Sequence, residues 1–293
     1  MRTIFTMLVL LFVASCTKED DVWTNTQTNT NTSTTSESND DNSTTTDSGD
    51  DVINGVSSDG DVTSFSIAFN KNAISESLTV DNSDDDYIEN TTFDQTITIT
   101  FSTSGNASVS GDDAGIVSIN GNDVVATNNS EQVIKYVLTG ETTDGFFKLY
   151  STKKQAIVLN GVKITNPDGA AINNQSKKRT FIVLNDGSNN YLTDGTSYAD
   201  ATDDEDMKAC LFSEGQLIFS GSGYLEVDAN CKAGIRSDDY VRTLPKTNIY
   251  VDASSGNGIR GNEAVIVTGG VINVNVSGTA DKSIPAKSKI ESL

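Results

Sequence analysis

The chain has 293 residues and a formal net charge of −21, with 20 Lys plus Arg against 41 Asp plus Glu, and it contains no His. That balance excludes an ordinary nucleic-acid binder, which neutralises phosphates with clustered cations, and the missing imidazole excludes His-based general catalysis and His-ligated zinc. Asn, Thr, Ser, Asp and Gly are conspicuous while long runs of Ala, Leu, Glu and Lys are absent, which argues against a mostly helical fold.

The chain opens with "MRTIFTMLVLLFVASC", in which Arg2 precedes an apolar run from Ile4 to Val13. Such a run is too short for a mature membrane span and reads as an export signal. "VASC" resembles a lipobox, so residues 1–15 are expected to be a lipoprotein signal peptide and Cys16 the lipidated anchor. The following "TKEDD" is similar to an acidic surface-export tag. These features predict an exported protein held at the outer membrane or cell surface, touching the membrane through the lipid alone. Residues 16–61 are rich in Thr, Asn, Ser and Asp and too poor in apolar residues to bury a core, which predicts a disordered tether containing Trp23.

From residue 62 to 293 the sequence becomes strand-like, with apolar runs such as "TITITF", "QAIVLNGVKIT", "TFIVLNDG" and "QLIFSGSGYLEV" bounded by Gly, Asn and Asp. "CLFSEG", "GIRSDD" and "GIRGNE" begin at residues 210, 234 and 258, a spacing of 24 kept twice. The same spacing aligns Leu211, Ile235 and Ile259, with Ile284 one residue late. Val227, Val251 and Ile164 each lie eight residues before Ile235, Ile259 and Ile172, and Leu225, Ile249 and Val162 stand two positions further back. Like stacks on like, and nothing between the strands is long and apolar enough for a crossover helix. The period therefore predicts an all-β solenoid, a parallel β-helix with rungs of about 24 residues. The interval from Ile172 to Leu211 is 39 residues, so part of "YLTDGTSYADATDDEDM" should loop out, on the side where solenoids usually carry function.

Several ordered segments, "LNGVKITNPDGAAIN", "DEDMKACLFSEGQLIFSGSGYLEV", "KAGIRSDDY" and "GNGIRGNEAVIVTGG", resemble the carbohydrate-binding β-helix family that binds cellulose and pectic polymers and is related in shape to pectate lyases. The resemblance covers about Phe146 to Val276, with a looser echo from Thr96. It implies a right-handed parallel β-helix, secretion, bound calcium and a polysaccharide partner, acidic or cellulosic. The family pattern weakens after "NVNVSG", so the final rung is expected to be open, truncated or capped from outside the chain.

The residues supply chemistry of the same kind. Glu214, Asp238 and Asn262 fall in one column of the 24-residue register, with Asp239 and Glu263 in the next. Calcium takes about six to eight oxygen ligands, so stacked acids are candidate ligands. Asp203, Asp204 and Asp206, with Glu205 among them, are candidates for a second site, and solvated turn acids are the plain alternative. Arg236 and Arg260 stack two positions before Asp238 and Asn262, and Lys208 and Lys232 repeat at the same spacing. These four cations read either as a salt-bridged ladder or as a strip for uronate carboxylates, to which a guanidinium's planar fork is suited.

Three functions remain open: polysaccharide binding, a calcium-dependent pectate-type lyase with an Arg or Lys base, and a non-catalytic adhesin or rod. Tyr191, Tyr198, Tyr224, Tyr240 and Tyr250 form no clear 24-residue column, which favours polar over stacking recognition. Cys210 and Cys231 fall at different register positions and are expected to pack rather than to bridge.

Overall fold

A computed structural model describes residues 64–70, 80–199 and 205–277 of the chain. The signal segment, Cys16, the tether with Trp23, Asp203, Asp204 and the segment holding Ile284 lie outside the described residues. In chain order the strands are β1 (Ser64–Asn70), β2 (Gln95–Phe101), β3 (Ser108–Ser110), β4 (Val117–Asn120), β5 (Asp123–Asn128), β6 (Ile134–Thr142) and β7 (Phe146–Ser151). They continue as β8 (Gln155–Asn166), β9 (Ile172–Asn174), β10 (Thr180–Leu184), β11 (Asn189–Asp194), β12 (Ala209–Ser213), β13 (Leu217–Ser220) and β14 (Tyr224–Ala229). The last are β15 (Ala233–Ser237), β16 (Tyr240–Thr243), β17 (Asn248–Ala253), β18 (Ile259–Gly261), β19 (Ala264–Val267) and β20 (Val271–Ser277).

Apart from β1, β3 and β4, which pair antiparallel with β20, β2 and β5, these strands wind into a parallel β-helix of about 6 turns, roughly 24 residues per turn. Three faces result. The first stacks β10, β13, β16 and β19 on the leading half of β8, and the second stacks β11, β14, β17 and β20 on its trailing half. The third stacks β5, β7, β9, β12, β15 and β18. The long strands β6 and β8 turn the corner between the first two faces, with a register shift beside Gly140, whose φ of 82° favours glycine.

The core follows from strand alternation, which sends every second side chain inward. Leu211, Ile235 and Ile259 pair in register on the third face, as the 24-residue spacing predicts, Ile172 joins them across the 39-residue interval, and all are buried. On the second face the column is Ile164, Leu192, Val227, Val251 and Val274. Leu192 belongs to it although it sits outside the 24-residue alignment, because turns absorb length differences while the strands stay in register. Each fully buried Leu, Ile or Val contributes about 1.5–3 kcal/mol of transfer free energy, so the stacked columns are the main stabilising feature.

Two parts of the amino-terminal region close surfaces of the solenoid. β1 pairs antiparallel with β20 over its whole length, from Ser64 opposite Ser277 to Asn70 opposite Val271. The edge of the last second-face strand is thus capped from within the chain, which corrects the expectation of an open or externally capped rung there. Residues 80–94 lie outside the first face, where Tyr87 packs with Ala156, Phe181, Ile218 and Leu244. Arg242 Nη1 donates to Asp84 Oδ2 at 2.7 Å and Asp86 Oδ2 at 2.8 Å, and the Tyr240 hydroxyl donates to Asp86 Oδ1 at 2.6 Å. This strap covers apolar outward residues of the first face that would otherwise be wet.

Cys210 is a buried free thiol and forms no bridge to Cys231, whereas Cys231 is itself disulfide-bonded, which corrects the expectation that both only pack. Cys231 packs with Ala170 and Tyr198 under the insertion.

Candidate cation and polysaccharide site

The corner after the third face is built by alternation. Ser213 and Ser237 pair in register and point inward, where their hydroxyls both donate to the Gly215 carbonyl, at 2.7 and 2.9 Å. The next residues in each turn therefore face outward: Glu214, Asp238 and Asn262. Main-chain bonds hold that register, from Asp238 N–H to the Ser213 carbonyl at 2.9 Å and from Asn262 N–H to the Ser237 carbonyl at 3.0 Å. Gly261 takes the inward place in the next turn, since a Cβ there would meet the Ala264 carbonyl oxygen at 1.9 Å.

The insertion between β11 and β12 returns over this corner. Lys148 Nζ reaches Glu205 Oε2 at 2.8 Å, the Tyr150 hydroxyl bonds the same carboxylate, and Gln175 Nε2 donates to the Asp206 carbonyl at 2.6 Å. Asp206 is thereby brought to Glu214 and Asp238, with one carboxylate oxygen of each lying within 4.8 Å of the others. Asp206 had been expected in a second site; the structure places it in the first. Asp239 is turned away, its carboxylate accepting from Gln216 and from the Tyr240 N–H, and neither it nor Glu263 joins the cluster. The stacked turns separate the two columns because adjacent residues leave the backbone in different directions.

Lys208 is the local counter-charge. Its ammonium lies 2.5 Å from Asp206 Oδ2 and 2.8 Å from Asp238 Oδ2, and it also stands 5.7 Å from the centre of the Phe212 ring. Burial opposes its charge, but the hydrogen bonds and negative charges of Asp206 and Asp238 outweigh that and raise its pKa. Glu214 is raised above the usual carboxylate range, first by burial and then by the charges of Asp238 and Asp206. Asn262 donates through Nδ2 to Asp238 Oδ1 at 2.9 Å, while its own Oδ1 is buried and accepts no hydrogen bond. A crowded set of carboxylates beside an unused amide oxygen is a donor set for a hard cation.

The cation strip is only partly as expected. Phe212, Arg236 and Arg260 form one outward column on the third face. Arg236 is only 7% exposed and its Nε lies 3.7 Å from Asp238 Oδ1, so it serves the ladder, while Arg260 is the partly exposed member of the column. Lys232 sits over the Tyr198 ring at 5.5 Å and Lys208 is held by carboxylates, so neither lysine extends the strip.

Fold and site together define a β-solenoid with a cation-suited corner beside an arginine column. A family profile described as "Carbohydrate-binding domain-containing protein" matches residues 120–289. The chain belongs to this family of carbohydrate-binding domain-containing proteins. A relative from Acetivibrio thermocellus with the same description is 32% identical over 145 residues, which are 46% of this chain and 50% of that protein. The chain thus spans about half the length of this curated relative. A solved structure described as the polysaccharide lyase-like protein from C. thermocellum, a gadolinium derivative, matches with a TM-score of 0.53 and 28% identity, covering 67% of this chain and 74% of the other.

Proposed function

We propose that this protein binds polysaccharide without cleaving it, and that its third face and adjoining corner hold an acidic, pectin-type polymer with the help of calcium. The carrying observation is the meeting of Asp206, Glu214 and Asp238 within 4.8 Å, next to the Arg236 and Arg260 column. Those three carboxylates, with Asn262 Oδ1 once its amide rotates, would hold Ca²⁺ in place of the Lys208 ammonium. The bound ion would supply positive charge that bridges protein carboxylates to uronate carboxylates, and Arg260 would contact the same polymer. Successive turns present this chemistry at a regular rise, so a polymer gains affinity from several weak contacts.

The lyase-like neighbour motivates a lyase as the second reading. A lyase base must reach the proton it abstracts, whereas Arg236 is largely buried against Asp238, which disfavours it as that base. Export and a lipid anchor at Cys16 complete the proposal on the strength of the leader sequence. Retention on immobilised polygalacturonate, with calcium and then with chelator, tests the binding. Retention by neutral cellulose alone would refute the acidic specificity, and release of unsaturated uronate products would refute the non-catalytic role.

A further inference from the structure

The second face carries a different surface. Alternation buries Leu225, Val227, Ile249 and Val251 and turns Tyr224, Glu226, Asp228, Tyr250 and Asp252 outward. In register, Tyr191, Glu226 and Tyr250 form one row along the helix axis, and Asp228 and Asp252 lie side by side in the next. With strands about 4.8 Å apart, Tyr191 and Tyr250 are about 10 Å apart, comparable to one disaccharide of an extended chain. Tyr224 extends the aromatic patch, its ring 6.4 Å from that of Tyr191 at an interplanar angle of 73°. The tyrosine hydroxyls are tied down, Tyr224 donating to Glu226 Oε2 at 2.9 Å and Tyr250 accepting from Asn275 Nδ2 at 2.6 Å, so the rings are preorganised.

The charged residues on the outward surface of β11, β14 and β17 are of one sign. None of the ion pairs among the described residues involves Glu226, Asp228 or Asp252. The one lysine in the row, Lys163, is held by Glu141 at 3.0 Å. Burial, then the charges of Glu226 and Asp252, raises the Asp228 carboxyl above its usual range. A polyuronate is repelled here, and a neutral hexose chain could use the rings but would leave the carboxylates uncompensated. A chain carrying ammonium groups satisfies both features, because a tyrosine face attracts cations and a carboxylate pairs with them.

We propose that the outward surface of β11, β14 and β17 is a second polysaccharide site, for a cationic amino-sugar chain laid along the helix axis with its rings on Tyr191 and Tyr250 and its ammonium groups at Glu226, Asp228 and Asp252. The site is separate from the calcium-suited corner and does not depend on that reading. The test titrates the full chain, in chelator and about 150 mM salt to screen long-range attraction, with a glucosamine hexamer, its N-acetylated form and cello-hexaose. Tyr191→Ala and Tyr250→Ala leave the net charge unchanged, and each should weaken glucosamine binding about tenfold. Asp113→Asn, a charge change elsewhere, should bind as the parent does. Binding should also survive Asp238→Asn, which separates this site from the corner. Alanine variants that melt like the parent and bind equally well would overturn the proposal, as would equal affinity for the N-acetylated or glucose hexamer, or no binding at all.

Discussion

Asp194 ends β11 at the point where the insertion leaves the coil, and its replacement by asparagine gives a quantitative test of the packing at that junction. The carboxylate is 2% exposed; Oδ2 accepts from the Tyr198 hydroxyl at 2.6 Å, and Oδ1 accepts from the Asn230 N–H. Burial raises its pKa from 3.8 to about 6, despite hydrogen bonds from Asn230 and Tyr198 that pull it down. The folded protein therefore holds a proton between those two values that the unfolded chain has released. Because the native state binds more protons there, stability falls as pH rises from 3.8 to about 6 and is level above. A gap of about two pH units at about 1.4 kcal/mol each amounts to about 3 kcal/mol. Asparagine keeps an acceptor for Asn230 and carries no charge. Urea unfolding of both proteins between about pH 3 and pH 8 should show the stability of Asp194→Asn, relative to the parent, improving by about 3 kcal/mol across that window. A difference that does not change with pH would refute the assignment of a buried, proton-holding carboxyl, whatever the variant's absolute stability.

Three further outcomes are expected. Tyr136 is fully buried and its hydroxyl has no hydrogen-bond partner, so Tyr136→Phe should raise stability by about 1 kcal/mol in denaturant unfolding; a loss of that size would show a partner the geometry does not. Lys208→Met removes the ammonium shared by Asp206 and Asp238, leaving Asp238 with Arg236, and should cost about 1–2 kcal/mol without calcium. Calcium should then raise the melting temperature of this variant more than that of the parent, and an equal rise would count against competition between the ammonium and the ion. Arg242→Ala removes both bonds to Asp84 and Asp86, so amide exchange should speed up in residues 80–94 while the strands of the first face stay protected.

The repeat was legible because parallel strands in a solenoid keep one register, and Leu211, Ile235 and Ile259 preserve it in spacing as well as in type. Where a turn changes length, the register survives in space and vanishes from the sequence. Tyr191 and Glu226 are neighbours although 35 positions separate them, so the aromatic row with Tyr250 had no 24-residue signal. The same insertion concealed the role of Asp206: four consecutive residues from Asp203 to Asp206 look like a loop site of their own, and only the fold-back onto Lys148, Tyr150 and Gln175 directs one of them to Glu214 and Asp238. Asp239 and Glu263 show the converse, since a column in sequence gives register without direction, and Asp239 spends its carboxylate on Gln216 and its own turn. The antiparallel cap by β1 was not foreseen because nothing periodic links Ser64–Asn70 to the strand it covers.

The central claim is that a cation at the Asp206, Glu214 and Asp238 corner and a uronate chain bind together. The direct measurement is a calorimetric titration of the protein with oligogalacturonate, in calcium and in chelator, repeated with Asp238→Asn. Calcium should tighten uronate binding, uronate should tighten calcium binding by the same factor, and Asp238→Asn should abolish both effects while the protein still melts cooperatively. Uronate affinity that is equal in calcium and chelator, or coupling that survives Asp238→Asn, would contradict that claim.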